Sequence, residues 1–232
     1  MTAPTFDPRQ VPVRAVDAHL PRVPVERLDP ARLRAWFADP PPWEPELRAE
    51  PRWVDAPLRP AAVLVPLVWR ATPQVLLTQR PLHLPTHGGQ IAFPGGKLDP
   101  ADGGDPVRCA LREAAEEVGL QPPWAEPLGT LPPYRTGSGF EITPVVALVQ
   151  PAGPWRADPR EVADVFEVPL AFLMNPRHHR HHELELHGVR RHWLSMPYRD
   201  GVTERFIWGA TAGMLRNVYR FLLAASTAMM QP

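Results

Sequence analysis

The chain is short of cysteine, of lysine and of uninterrupted apolar sequence. With Cys109 as the only cysteine among 232 residues, no intramolecular disulfide framework can form, which fits a reducing compartment. The first residues carry Asp7, Arg9 and several prolines where a signal peptide needs an unbroken apolar run. Residues 221–230 are mostly apolar but short, with Arg216, Asn217 and Arg220 just before them. That pattern reads as a buried helix end and not as a membrane span, so the expected location is cytoplasmic with no membrane partner. Net charge is also lacking: 25 basic residues balance 25 acidic ones. No whole-molecule field draws in nucleic acid, although a local basic pocket remains compatible with the balance. Lys97 is the single lysine, a compositional bias without mechanistic content.

What the chain has in quantity is proline, 33 residues, with a 44% hydrophobic complement sufficient for a sizeable core. Residues 1–58 read as a Pro-rich extension, and residues 59–232 as the main domain. The extension is read as a strap packed on that domain, with an independent binding element as the alternative. Its one periodic stretch runs from Pro30 to Phe37, with Asp29 as N-cap, and is stopped by prolines 40–42. In the main domain, Ala61–Trp69 and Gln74–Arg80 predict a β-hairpin. Ile91–Phe93 predicts a strand broken at Pro94-Gly95-Gly96. Asp105 as N-cap, Pro106 at the first helical position and Gly119 as stop bound a helix over 106–118. Strands are expected at 141–149 and 165–168, a helical turn at 170–174, and a second hairpin around His187-Gly188. Residues 206–208 are expected to close the sheet, before a last helix over 211–229. The pattern predicts an α/β (α+β) fold, a mixed sheet sandwiched between helices.

The central helix carries Arg112-Glu113-Ala114-Ala115-Glu116-Glu117-Val118-Gly119. At about 100° per residue, Glu113 and Glu117 lie about 40° apart and Glu116 about 60° to the other side, so all three share one face. Such a cluster repels itself and sits at the helix end where the dipole disfavours anions. Hard divalent cations reverse that cost, because Mg2+ is satisfied by a few carboxylates, waters and phosphate oxygens. Arg112 can brace one carboxylate from the adjacent turn. Taken alone, the pattern reads better as a solvated charged face.

Read with the loop before it, residues 95–120 resemble the Nudix box, whose core R-E-U-x-E-E-x-G-U (U aliphatic) is matched by Arg112, Glu113, Ala114, Glu116, Glu117, Gly119 and Leu120. The resemblance implies a Nudix-like fold and a hydrolase whose helix binds Mg2+ or Mn2+ to activate water against a diphosphate. It makes Glu113 and Glu117 the principal metal ligands, and Glu116 a further ligand or a participant in water activation. The upstream half departs: the family's earlier glutamate falls on Gly104 and its leading glycine on Leu98, so Asp99, Asp102 or Asp105 is expected to substitute. Leu76–Arg80 and Gly89–Gly96 are similar to the signature of Nudix coenzyme A pyrophosphatases, as are Asp99–Asp102, Phe166–Leu170 and Ile207–Ala212. Pro81 stands where that signature has a small residue, and Pro85 where it has arginine.

The resemblance therefore implies cleavage of coenzyme A or acyl-coenzyme A to 3′,5′-ADP and (acyl-)4′-phosphopantetheine. The alternatives are a Nudix hydrolase of ADP-ribose, NADH or a dinucleotide, and a non-catalytic Nudix-fold binding module. Arg80, at its strand end, is the candidate for holding substrate phosphate, with Gly95, Gly96 and Lys97 lining the substrate; a surface arginine pairing locally is the other reading of Arg80. The partner is a small nucleotide-type molecule, and a homodimer is left open. His178, His179, His181 and His182, with His187 and His192 beyond, are expected in a solvated loop and not in a zinc site, since adjacent histidines lack a defined ligand geometry. Cys109 reads as a small core residue, and Trp208 and Tyr134 either as base-stacking rings or as core.

Overall fold

The computed structural model describes residues 6–84, 87–186 and 188–228; the departure at Pro85, the turn residue His187 and the expected helix end at Met229 lie outside them. In chain order the strands and helices are β1 (Val13–Val16), α1 (Pro30–Ala38), β2 (Arg59–Val68), β3 (Gln74–Gln79), β4 (Ile91–Ala92), β5 (Gly95–Lys97), α2 (Pro106–Val118), β6 (Ala125–Thr130), β7 (Tyr134–Arg135), β8 (Phe140–Val149), β9 (Asp164–Pro169), α3 (Leu170–Leu173), β10 (Arg180–Leu186), β11 (Val189–Asp200), β12 (Thr203–Trp208) and α4 (Gly209–Ala228). The larger sheet runs β4-β3-β2-β8-β6, with β5 on β2, β7 on β8 and β9 on β3. Its centre is the parallel pair β2–β8, in register from Arg59↔Phe140 to Val68↔Val149.

Alternation along these strands sorts the core into two layers. Ala62, Leu64, Cys109, Ala110, Ala114, Val118 and Val145 pack α2 on one face. Val63, Val65, Leu67, Tyr134, Val146 and Leu148 face α4 on the other. Residues 206–208 do not close this sheet, contrary to what their sequence suggests, and the second hairpin is not part of it either. They form a separate antiparallel sheet, β1-β10-β11-β12, because β12 runs directly into α4 and pairs with β11, from Ser195↔Trp208 to Asp200↔Thr203. Strand β1 was not legible: all four of its residues are exposed, so no alternation marks it.

The N-terminal residues are part of the packing. Val23, Val25, Leu28, Leu33 and Trp36 belong to the same buried cluster as α4. Tyr219 donates its hydroxyl to the Pro21 carbonyl, 2.7 Å, and the Asn217 amide exchanges hydrogen bonds with the Leu47 backbone. Arg216, 2% exposed, ion-pairs with Asp17 and Glu46, each at 2.9 Å.

The histidines depart from the solvated loop expected of them. His179 and His182 are buried, because the chain there enters β10 and turns them inward between the N-terminal segment and β11. His182 bonds the Val11 carbonyl and the Ser195 hydroxyl, and His181 pairs with Asp17 at 2.8 Å. Arg216 donates to His179 Nδ1 at 2.9 Å, so the ring carries its proton on Nε2 and donates it to Leu173 O at 2.7 Å. Burial is the main cause that pushes His179 down to about 4, with Arg216 adding to it. A histidine with a folded pKa below its unfolded value supports the fold fully above about 6.5, and that support is lost as pH falls through about 4. At ~1.4 kcal/mol per unit, the expected loss is about 3 kcal/mol. Urea midpoints between pH 7 and 4 should show it, with the slope flattened in H179Q; an equal slope in that variant contradicts the assignment.

Candidate active site

The site is built where β5 runs beside β2 under the C-terminal half of α2. Asp105 caps α2 by accepting from Val107 N at 2.8 Å, and Gly119 ends it in a left-handed turn, φ 69°. These caps set which residues face β5. Gly96 pairs with Ala62 and Gly95 with Val63. A Cβ on Gly96 would lie 2.5 Å from Glu113 Cδ, and one on Gly95 would lie 2.4 Å from the Ala62 carbonyl oxygen. The two glycines thus let the helix carboxylates reach the strand backbone.

Glu117 is 4% exposed, and its Oε2 accepts from Gly95 N at 3.2 Å. Burial pushes its carboxyl up to about 8, Glu113 and Glu161 add to the rise, and the Gly95 N–H and the charge of Arg80 oppose it. Glu113 is raised as well, chiefly by burial, against the pull of Arg112. Arg112 donates to Glu113 Oε1 at 2.8 Å and to Glu116 Oε2 at 3.3 Å. Its other edge forms a fork with buried Asp102, at 2.9 and 3.0 Å. That fork, with the Asp99 N–H, holds Asp102 down at about 2. Arg112 therefore braces two of the three glutamates, while no guanidinium bonds Glu117 among the described residues.

The aspartates expected to replace the missing acid are each engaged. Asp99 caps the short turn at 100–102 and Asp105 caps α2, while Asp102 anchors Arg112. Glu113 and Glu117 meet the Gly95-Gly96 backbone; Glu116, its side chain 62% exposed, stands at the rim. Arg80 follows β3, its charge reaching Glu117, and among the described residues its buried Nε has no hydrogen-bond partner. Lys97 points to the opposite face from Gly96, its ammonium 6.0 Å from the Phe140 ring, which Arg59 also covers at 4.0 Å. Cys109 is buried in the core, and burial pushes its thiol up to about 11. Tyr134 is buried with its hydroxyl donated to Glu50 at 3.4 Å, and Trp208 packs edge-on against Phe6 and Trp193.

Glu161 is the acidic residue that the sequence pattern gave no reason to single out. Its loop is pinned to the end of α2 by Arg156 N to Val118 O and Asp158 N to Glu117 O, at 2.9 and 3.0 Å. An acid in a polar loop has no helical or strand periodicity to mark it out from Asp158 and Asp164 on either side.

A divalent cation fits this donor set. Among the described residues no three His, Cys, Asp or Glu side chains are gathered into a cage. Mg2+ needs none, since it is held by one or two carboxylates together with waters and substrate phosphates. Buried Glu117 and partly buried Glu113, both of them costly to ionise unaided, are such hard oxygen donors.

Fold and site together define a Nudix domain, and residues 58–203 match the NUDIX domain family. The chain is 45% identical over 163 residues to "Uncharacterized Nudix hydrolase NudL" of Salmonella paratyphi B and of Salmonella newport, covering 69% of this chain and 81% of each relative. The crystal structure of a C. elegans Ap4A hydrolase binary complex is similar at 24% identity and a TM-score of 0.41, over 49% of this chain and 81% of that one. The chain belongs to the Nudix hydrolase family. Hydrolases of this family generally use divalent ions such as Mg2+ or Mn2+. Among the described residues no helix is long and apolar enough to cross a membrane.

Proposed function

We propose that the chain hydrolyses the diphosphate of coenzyme A or acyl-coenzyme A, releasing 3′,5′-ADP and (acyl-)4′-phosphopantetheine. The observation that carries the reaction type is the pair Glu113, partly buried, and Glu117, buried, set against the Gly95-Gly96 backbone with both carboxyls raised chiefly by desolvation. The substrate class is supported by the signature segments, which supply Arg80 and both glycines to this one place.

Glu113 and Glu117 would hold the divalent cation, with Glu116 at the rim. When bound, that ion neutralises diphosphate charge and lowers the pKa of a coordinated water. Arg80 takes a substrate phosphate, for which a guanidinium with an unpartnered Nε is suited. Arg112, fixed by Asp102, keeps Glu113 in place as substrate charge arrives. Glu116 and Glu161 are the carboxylates left to accept the proton of the attacking water.

Incubation with Mg2+ and a panel of coenzyme A, acetyl-coenzyme A, ADP-ribose, NADH and dinucleotides, with products resolved by chromatography, tests this. The expected result is 3′,5′-ADP from the coenzyme A substrates and little product from the others. Preferred turnover of ADP-ribose or NADH moves the substrate assignment, and no turnover at all supports a binding module.

A further inference from the structure

Arg205 lies on β12, in the sheet that does not carry the acidic helix, yet it grips the strand ends from which two walls of the site depart. Gln79 and Asp164 are cross-strand partners where β3 ends and β9 begins. Arg205, 8% exposed, donates Nη1 to Gln79 Oε1 at 3.0 Å and Nη2 to Asp164 Oδ2 at 2.5 Å. Asp200 stands 3.7 Å from the same Nη2, and the guanidinium lies 4.2 Å from the Phe166 ring centroid. One planar group thus closes both strand ends, which a lysine ammonium cannot reproduce.

Both site loops hang from that pair. The chain after Gln79 is Arg80, whose N–H bonds Gln90 O and whose carbonyl accepts from Gly89 N. On the other strand, Ala163 N donates to the Gln79 carbonyl at 2.8 Å, and Glu161 is two residues further back. Side chains alternate along β3, so with Gln79 turned to the second sheet Arg80 is turned toward α2, consistent with its charge reaching Glu117.

We infer that Arg205 is a positioning residue, which fixes Arg80 relative to Glu113 and Glu117. It acts from the second sheet without touching substrate. The inference rests on the hydrolase reading above and assigns that sheet a part in catalysis: its β12 strand holds the phosphate-facing arginine in register with the acidic helix.

The test is steady-state kinetics of R205M on the substrate that the wild type turns over best, with circular dichroism to show that the variant is folded. Methionine keeps a stem to pack on Phe166 and removes the fork. The expected loss in kcat/KM is about a hundredfold, carried mainly by KM, the size that a small misplacement of a binding group produces. In an R80Q background the same substitution should cost no more than about threefold, because residues acting through one another are non-additive. A merely structural role predicts equal losses in both backgrounds, and that result overturns the inference. So does an R205M enzyme with wild-type constants. If R205M does not fold, Q79M, which removes one of the two gripped groups, is read by the same criteria. A wild type inactive on every substrate sinks the functional reading itself, whereas an active wild type with indifferent R205M and Q79M sinks only this inference.

Discussion

An E117Q variant is expected to stay folded, lose about a thousandfold in turnover, and melt at a higher temperature than the wild type in chelator at pH 8. The activity loss follows from removing a charged group that would hold the cation, a contribution of several kcal/mol to transition-state stabilisation. The stability gain follows from burial. Glu117 is almost wholly buried, with Gly95 N–H as its hydrogen-bond donor, and a glutamine oxygen can accept that bond without carrying charge. The sign is fixed by the folded pKa of about 8, above the ordinary 4.5. A carboxyl raised on folding supports the fold fully below its unfolded value and loses that support as pH rises through the folded one. The gap between E117Q and wild type should therefore open from about pH 5 to pH 9. At ~1.4 kcal/mol per unit it amounts to a few kcal/mol. Added Mg2+ should close it by stabilising the wild type alone. A destabilised E117Q with normal turnover would mean that the carboxylate is structural.

The second large effect separates two adjacent glycines. In G96A the new methyl would sit 2.5–2.6 Å from the Glu113 carboxylate, the far end of a side chain that can swing away. The fold should survive while Glu113 is displaced, and the apparent affinity for Mg2+ should fall about 10- to 100-fold, as when a group orienting a metal ligand is lost. In G95A the methyl meets the Ala62 carbonyl and Val63 Cα, 2.4 and 2.6 Å away. Backbone cannot yield cheaply, so this variant should lose stability before it loses chemistry. Thermal melts with Mg2+ titrations of activity distinguish the pair. A G96A enzyme with unchanged metal dependence would show that Glu113 is not held as described.

The helix was legible to the residue because its signals are local: Asp105 as cap, Pro106 at its first turn, Gly119 as a left-handed stop. The hairpin of β2 and β3 was legible for the same reason, in two apolar runs around a short polar turn. Division into two sheets was not, because pairing of β10 with β1 and of β12 with β11 is set by contacts far apart in sequence. The histidines at 179 and 182 look polar in sequence, yet are buried by partners more than 30 and 170 residues away, Arg216 and Val11. In the site, spacing placed Glu113 and Glu117 on one face. It could not show that Arg112 would be claimed by Asp102, nor that Glu161 would be brought in by backbone bonds to the end of α2.

The most direct measurement is a titration of Mn2+ followed by electron paramagnetic resonance, with coenzyme A present, on wild type, E113Q and E117Q. Tight binding in the wild type, sharpened by the diphosphate and lost in both variants, is what two helix carboxylates gripping a pyrophosphate through cations require. Retention of the wild-type Mn2+ affinity when either glutamate is neutralised contradicts it.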